Sequence, residues 1–161
     1  MAVDMFIKFD PVVKGESRDK THKDEIDVLA WSWGVSNSGS AQMGGGAGAG
    51  KCNVQDLSFT KYVDKASPSL LLACCTGTHY NTVTLVVRKA GGKPLEYIKV
   101  IIKEVLVTSV STGGSGGEDR LTENVSLNFA EVNFDYVEQK PDGTEGDKPS
   151  MKYNIAENTK E

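Results

Sequence analysis

The sequence predicts a mainly β fold in one domain, residues 1–161, with a single short helix. Over most of the chain, apolar residues alternate with polar ones, which is the two-residue period of a half-buried strand. Nine of the 17 glycines fall in two runs between these alternating segments, where connecting loops are expected. The length suits one domain that buries its own core.

The strand predicted from Ile26 onward has two unlike faces. One face carries large apolar side chains and is expected to face the core: Leu29, Trp31, Trp33 and Val35. The opposite face is apolar to small, so a neighbouring backbone or a wall could approach it closely: Val28, Ala30, Ser32 and Gly34.

Later strands show two further features. The stretch from Leu95 to Val110 is apolar on both parities over several residues, which predicts a central strand covered on both sides. The last long strand changes parity, with Val125, Leu127 and Phe129 followed by Val132, Phe134 and Tyr136. This slip predicts a β-bulge or a handover between two sheets near Ala130 and Glu131.

One segment has the signals of a helix. Ser67 is the predicted N-cap, Pro68 the first helical residue and Gly77 the stop. Leu70, Leu71 and Cys74 would form its buried stripe.

Composition excludes several classes of protein. The net charge of −4 argues against a general binder of nucleic acid backbones. The N-terminus has no signal-peptide core and no run approaches 18 apolar residues, so we expect neither Sec export nor membrane insertion. Three cysteines, Cys52 and the adjacent Cys74 and Cys75, fit a chain made in a reducing cytoplasm.

The first glycine run imitates a phosphate-binding loop. Gly45 to Lys51 has the spacing of a P-loop, but Cys52 stands where Ser or Thr should hold magnesium, and a strand is predicted where a helix must follow. Gly44, Gly46 and Ala49 imitate a dinucleotide fingerprint and fail the same test of context. We therefore expect no nucleotide cofactor.

No catalytic or metal constellation is expected either. Cys74, Cys75 and His79 have no further ligand pair at zinc spacing. His22 and Asp24 lie in a charged segment, 14–25, without a nucleophile motif. That segment is predicted to be a solvated loop or one side of an intersubunit salt-bridge network, and the protein is not expected to be an enzyme.

Several sequence blocks nevertheless resemble one family. They are spread over nearly the whole chain and keep the family's order: 14–22 (KGESRDKTH), 26–34 (IDVLAWSWG), 56–64 (DLSFTKYVD), 66–71 (ASPSLL), 88–92 (RKAGG), 107–119 (VTSVSTGGSGGED), 123–130 (ENVSLNFA) and Tyr136. These blocks are similar to the haemolysin-coregulated protein (Hcp) family of the bacterial type VI secretion system. The similarity ends near Asn158, so we expect no fused toxin domain.

The resemblance implies a fold and an assembly. It implies a two-sheet β-barrel with one short flanking helix, related to phage tail-tube proteins. Such subunits form a homo-hexamer, and stacked rings make a hollow tube inside a contractile sheath, with a VgrG-type spike protein at the tip. Contraction drives the tube out of the cell without a signal peptide, and the lumen holds small effector proteins.

The resemblance also suggests two sets of site residues. A ring-stacking loop would comprise Gln42, Met43, Gly44, Gly45, Gly46, Gly48, Gly50 and Lys51. Candidate lumen or subunit contacts are Ala30, Ser32, Gly34, Ser58 and Thr60. Two other hypotheses remain open at this stage: a monomeric β-barrel that binds a small ligand in its interior, and a nucleotide-dependent enzyme based on the 45–51 run.

Overall fold

The structure, a computed structural model, describes residues 2–39, 51–91 and 93–161. Over these residues the chain forms twelve strands and one helix. The strands are β1 (Val3–Asp10), β2 (Ile26–Asp27), β3 (Ala30–Ser32), β4 (Val35–Ser36), β5 (Asn53–Val54), β6 (Leu57–Tyr62), β7 (His79–Lys89), β8 (Leu95–Thr112), β9 (Thr122–Asn128), β10 (Glu131–Tyr136), β11 (Ser150–Asn154) and β12 (Thr159–Lys160), and the helix is α1 (Ser67–Thr76). The predicted mainly β architecture, with two sheets and one helix, is confirmed.

The long strand β8 organises the larger, ten-stranded sheet. It pairs with β7 along one edge, and along the other edge with β10 and then β9. The predicted central strand is therefore confirmed in position. Its buried parity changes at Glu104, which has a φ of 53°: Val100 and Ile102 are buried before this residue, and Val105 and Val107 after it. On either side of Glu104, the fully buried residues of β8 lie on only one face of the strand. The sequence predicts that both faces are covered.

The parity slip near Ala130 marks a change of strand partners within one ten-stranded sheet, and not the predicted β-bulge or handover between two sheets. Strands β9 and β10 lie end to end along the same edge of β8, with Phe129 and Ala130 between them. On their other edges, β9 pairs with β6 and β10 pairs with β11. The parity slip therefore marks the point at which the chain exchanges one set of partners for another.

Residues 26–32 complete a circuit of strand pairing. The β2 part pairs with β1, and the β3 part pairs with β6, with the Leu29 amide donating to the Thr60 carbonyl in between. Strands β1, β7, β8, β9 and β6 are paired in that order. Residues 26–32 pair with the first of these strands and with the last, so they close the series into a barrel.

This change of partner corrects the predicted core face of the segment. Val28 is buried, whereas Leu29 and Val35 are exposed. Trp31 and Trp33 are half-buried and do pack against the core. The buried parity slips by one residue where the chain leaves β1 for β6, which strict alternation does not anticipate.

The helix is placed as predicted, but its start and its buried stripe differ. Its N-cap is Ala66, and Ser67 is the first helical residue, with a hydroxyl that donates to Glu123. Gly77 ends the helix in the left-handed conformation, with a φ of 68°, as expected of a glycine stop. Leu70 and Ala73 form the buried stripe, Cys74 packs beside it, and Leu71 is 36% exposed.

The interior is filled by large apolar side chains from both halves of the sheet. The fully buried ones include Ile7, Leu57, Phe59, Leu85, Ile102 and Leu127. Within the described ranges, no helix has the length and apolar character needed to cross a membrane.

Candidate functional site

A neutral polar face is the first of two features that set the surface of this protein apart. It lies on the side of β3, β6, β9 and β8 opposite the core, and its residues stand in two cross-strand rows: Ser32, Ser58, Ser126 and Ser109, then Ala30, Thr60, Asn124 and Ser111. The Ser58 and Ser126 hydroxyls are 3.1 Å apart, and the Thr60 hydroxyl donates to Asn124 Oδ1 at 2.6 Å. We call these eight residues the polar face.

The polar face contains four of the five candidate lumen residues. Ala30, Ser32, Ser58 and Thr60 border one depression of about 210 Å³. Gly34 lies beyond the face, next to Gln55. The sequence shows that each strand alternates, but the pairing register that aligns the serines across four strands appears only in the structure.

Charged groups begin where the polar face ends. At one end Asp56 accepts hydrogen bonds from Thr108 and Asn128, at 2.8 and 3.0 Å. At the other end the Arg120 guanidinium lies 3.7 Å from the centre of the Tyr62 ring, and beyond it burial raises the pKa of Asp27. The face itself carries no ionisable side chain.

The second feature is the hairpin stem, formed by β4 and β5. These strands pair through Val35 with Val54 and Ser36 with Asn53, as a sheet separate from the main one. The stem leads to the predicted ring-stacking loop, of which Gln42, Met43, Gly44, Gly45, Gly46, Gly48 and Gly50 lie outside the described residues and exposed Lys51 lies within them. Strands β5 and β6 follow Lys51 in place of the helix that a P-loop requires.

Most of the charged segment 14–25 is exposed, as expected of a solvated loop, but Asp19 and His22 attach it to the strands of its own chain. Asp19 pairs with Arg88 at 2.6 Å, and this bond is the main reason that the pKa of Asp19 lies well below its usual range. The same pair, together with Asp4, raises the pKa of Arg88.

His22 is the second residue that attaches the 14–25 segment to the strands. Its ring stacks on Phe6 at 4.4 Å, and its two nitrogens lie 2.9 Å from Glu25 and 2.7 Å from Glu96. His22 is 7% exposed, and its contact with Glu96 connects the loop to β8, so we interpret this histidine as structural.

A buried ionic cluster joins the helix to the sheet. Lys61 pairs with Glu123 and also with Asp64, whose carboxylate is 2.9 Å away, and the Ser67 hydroxyl donates to Glu123 at 2.5 Å. Lys61 and Glu123 are fully buried. In the sequence Lys61 only interrupts an apolar parity, and its partner 62 residues later gives no local signal.

The part of the chain that the structure describes contains no group of three or more His, Cys, Asp or Glu placed to hold a metal ion. Its three cysteines are free, with Cys75 exposed. Fold and site together define a small mainly β protein whose distinctive surfaces are a neutral sheet face and a hairpin stem.

Comparison with known proteins gives the family. Residues 6–136 match the family described as "Type VI secretion system effector, Hcp", and the chain belongs to it. Protein hcp1 of Pseudomonas aeruginosa is 64% identical over 161 residues, with 98% of each sequence covered.

Solved structures agree in fold over the full length. Hcp1 from Salmonella typhimurium is 37% identical, with a TM-score of 0.83 and 100% of both chains covered. A structure described as a type six secretion system protein is 32% identical, with a TM-score of 0.93, covering 99% of this chain and 100% of the other. The family predicted from the sequence blocks is thereby confirmed.

Proposed function

We propose that this protein is a structural subunit of the type VI secretion inner tube, and that it forms hexameric rings that stack into a hollow tube. The observation that carries the proposal, beyond family membership, is the polar face, which is uncharged and made of small side chains across four strands. A ring that repeats this face six times would present a wide neutral lining to its centre. Residues 1–161 would act as one tube domain.

The two kinds of contact in such a tube have different geometry. A ring closes when each subunit binds the next through unlike surfaces, and stacking of rings continues without closure. The ring-stacking loop, Gln42 to Lys51, would make the contact between rings. Ordering a glycine-rich loop costs about 1–2 kcal/mol per residue, which keeps the stacking reversible.

The polar face suits a passage through which cargo moves. Hydroxyl and amide groups offer hydrogen bonds to small effector proteins or to water, and no large apolar group is available for tight packing. We therefore assign Ala30, Ser32, Ser58 and Thr60 to the lumen, and Gly34 to the start of the stem.

The wider setting follows from the same proposal. The protein would be made in the bacterial cytoplasm and leave through the type VI system without a signal peptide, inside a contractile sheath and behind a VgrG-type spike. Its role would be mechanical and not enzymatic, without nucleic acid binding or membrane insertion. The alternative of a monomeric barrel with an internal ligand has less support, because apolar side chains fill the interior.

Electron microscopy of the purified protein tests the assembly directly. We expect rings with an open centre, and a sedimenting species with the mass of six chains. A monomer of 17.3 kDa without rings would contradict the proposal and favour the ligand-binding alternative.

Deletion of Gly44 to Gly48 tests the ring-stacking loop. We expect hexamers to persist, because the strand circuit does not include these residues, while tube growth and secretion are impaired. A control replaces Gly116 and Gly117 with serine, because an added Cβ at either of these two positions meets nothing within 4 Å. Normal tube growth and secretion by the deletion variant would overturn the role of the loop.

A further inference from the structure

We infer that Trp33 is a positioning residue, whose indole fixes the direction in which the hairpin stem leaves the barrel. The inference rests on the proposed function of the ring-stacking loop, because the stem leads to that loop. The residues that carry the inference lie where the stem joins the barrel, and the structure describes all of them.

The hydrogen-bond ladder is interrupted where the stem meets the barrel. Strand β3 ends at Ser32 and β4 begins at Val35, while β5 ends at Val54 and β6 begins at Leu57. Between the two ladders, the Gln55 amide donates to the Gly34 carbonyl at 3.0 Å. A short two-stranded hairpin is marginally stable alone, so the orientation of the stem depends on what spans this interruption.

The Trp33 side chain makes contacts on both sides of this interruption. The indole Nε1 donates to the Gln55 carbonyl on the opposite strand at 3.0 Å. The ring packs on the barrel, with its centroid 6.4 Å from that of Phe134, at 22° between the planes, and 6.4 Å from that of Phe129. One side chain thus connects the returning strand of the stem to the core.

Gly34 and Gln55 keep the two strands close at the same level. A Cβ on Gly34 would lie 3.2 Å from Gln55 Oε1, closer than most side-chain contacts. The Gln55 side chain therefore lies next to Gly34, while the Gln55 carbonyl accepts the indole hydrogen bond.

Trp31 provides an internal comparison. It is also half-buried and packs against the core, but it lies within β3, opposite Phe59, where the main-chain ladder is intact. Packing at Trp31 supports the barrel, whereas the Trp33 hydrogen bond acts at the interruption. A hydrogen bond of this kind is enough to change the population of one orientation by roughly threefold to tenfold.

The two tryptophans are the only ones in the chain, which permits an experiment at a single atom. In a Trp31→Phe background, biosynthetic replacement of tryptophan by 3-benzothienylalanine changes position 33 alone, exchanging the N–H for sulfur while the ring shape is kept. We expect hexameric rings to remain, backbone amide exchange in the stem to rise about threefold to tenfold, and tube elongation to fall. The Trp31→Phe protein with natural tryptophan is the control and should match the wild type in all three.

Several outcomes would overturn the inference. Unchanged stem exchange would mean that the hydrogen bond does not hold the stem, and faster exchange with normal tube growth would mean that its position does not matter for stacking. Trp33→Phe, which also retains a ring on the core, should repeat the effect of the analogue, and loss of rings in both variants would assign Trp33 to barrel stability instead.

The Gly44 to Gly48 deletion separates this inference from the proposed function. Normal tube growth after the deletion would remove the role of the loop, whatever Trp33 does. Impaired growth after the deletion, together with normal growth of the analogue protein, would overturn the inference alone.

Discussion

At the scale of single residues, Lys61 is the side chain with the largest predicted effect on stability. It and Glu123 are fully buried, so both charges have lost their hydration and depend on each other and on Asp64 and Ser67. Removal of one member would leave an uncompensated charge in the interior, which is much more costly than loss of the pair as a whole.

We expect Lys61→Met to lower the free energy of unfolding by about 3–5 kcal/mol, measured by urea denaturation. Lys148→Met is the matched control, since its partner Glu145 is 2.9 Å away and both are more than half exposed. That control should cost about 0–1 kcal/mol.

The double variant Lys61→Met, Glu123→Leu completes this test. It should recover part of the loss, because Glu123 no longer contributes a buried charge, whereas Asp64, 2.9 Å from Lys61 in the wild type, still loses its partner. Equal losses in the Lys61 and Lys148 variants would show that the buried pair contributes no more than a surface pair.

At the scale of elements, the 14–25 segment depends on Arg88 of β7. Arg88 Nη2 contacts Asp19 and Asp4, at 2.6 and 3.1 Å, and the guanidinium lies 5.1 Å from the centre of the Phe6 ring. Because the pKa of Asp19 is lowered in the folded protein, ionised Asp19 favours folding above its unfolded pKa, near 4, and this contribution is lost as the pH falls.

Arg88→Met should therefore lower the melting temperature at pH 7, and its difference from the wild type should shrink as the pH falls below about 4. The measurement is thermal unfolding between pH 7 and pH 2. Lys89→Met is the control, since Lys89 bonds to Gln139 and lies over the Tyr97 ring, so its effect should depend little on pH over this range. A difference for Arg88→Met that stays constant down to pH 2 would show that Asp19 is not the relevant partner.

Local sequence signals predict the positions of the helix and strands better than the hydrogen bonds and ion pairs between distant residues. Gly77 and the parity slip at Ala130 each act within a few residues. The helix stop at Gly77 is confirmed, and the slip marks a change of strand partners, although within one sheet and not between two. The sequence position of Ser67 predicts an N-cap, but its hydroxyl instead donates to Glu123, 56 residues away. The burial of Lys61 and His22 depends on similarly distant partners, which a periodicity cannot show.

At the scale of the whole molecule, the circuit of strands places the core and the polar face on opposite sides of the same sheet. Phe59 and Val125 point inward from the strands whose Ser58 and Asn124 point outward. The sequence predicts four of the eight residues of the polar face, Ala30, Ser32, Ser58 and Thr60, by strand parity, but not their alignment with β9 and β8, which depends on the pairing registers. About half of this face was therefore predictable from the sequence, and its arrangement was not.

If the polar face lines the lumen, Ser32→Gln should reduce retention of small effectors while leaving the ring intact. The longer side chain would project over the 210 Å³ depression that Ser32 borders. Co-purification of an effector with the rings measures retention, and Ser115→Gln, at an exposed serine between β8 and β9, is the control. Disruption of the ring by Ser32→Gln would instead indicate that this residue lies between subunits.

The segment from Ile26 to Ser36 has a mechanical consequence. It closes the strand circuit through β2 and β3 and then continues directly into the stem through β4. Since the other strand of the stem, β5, continues into β6, a pulling force applied to the loop enters the barrel through both β3 and β6, and the hydrogen bonds between β6 and β9 bear part of it as shear. If the protein forms the proposed tube, tension between rings would be carried in part by the same segment that closes the strand circuit of each subunit.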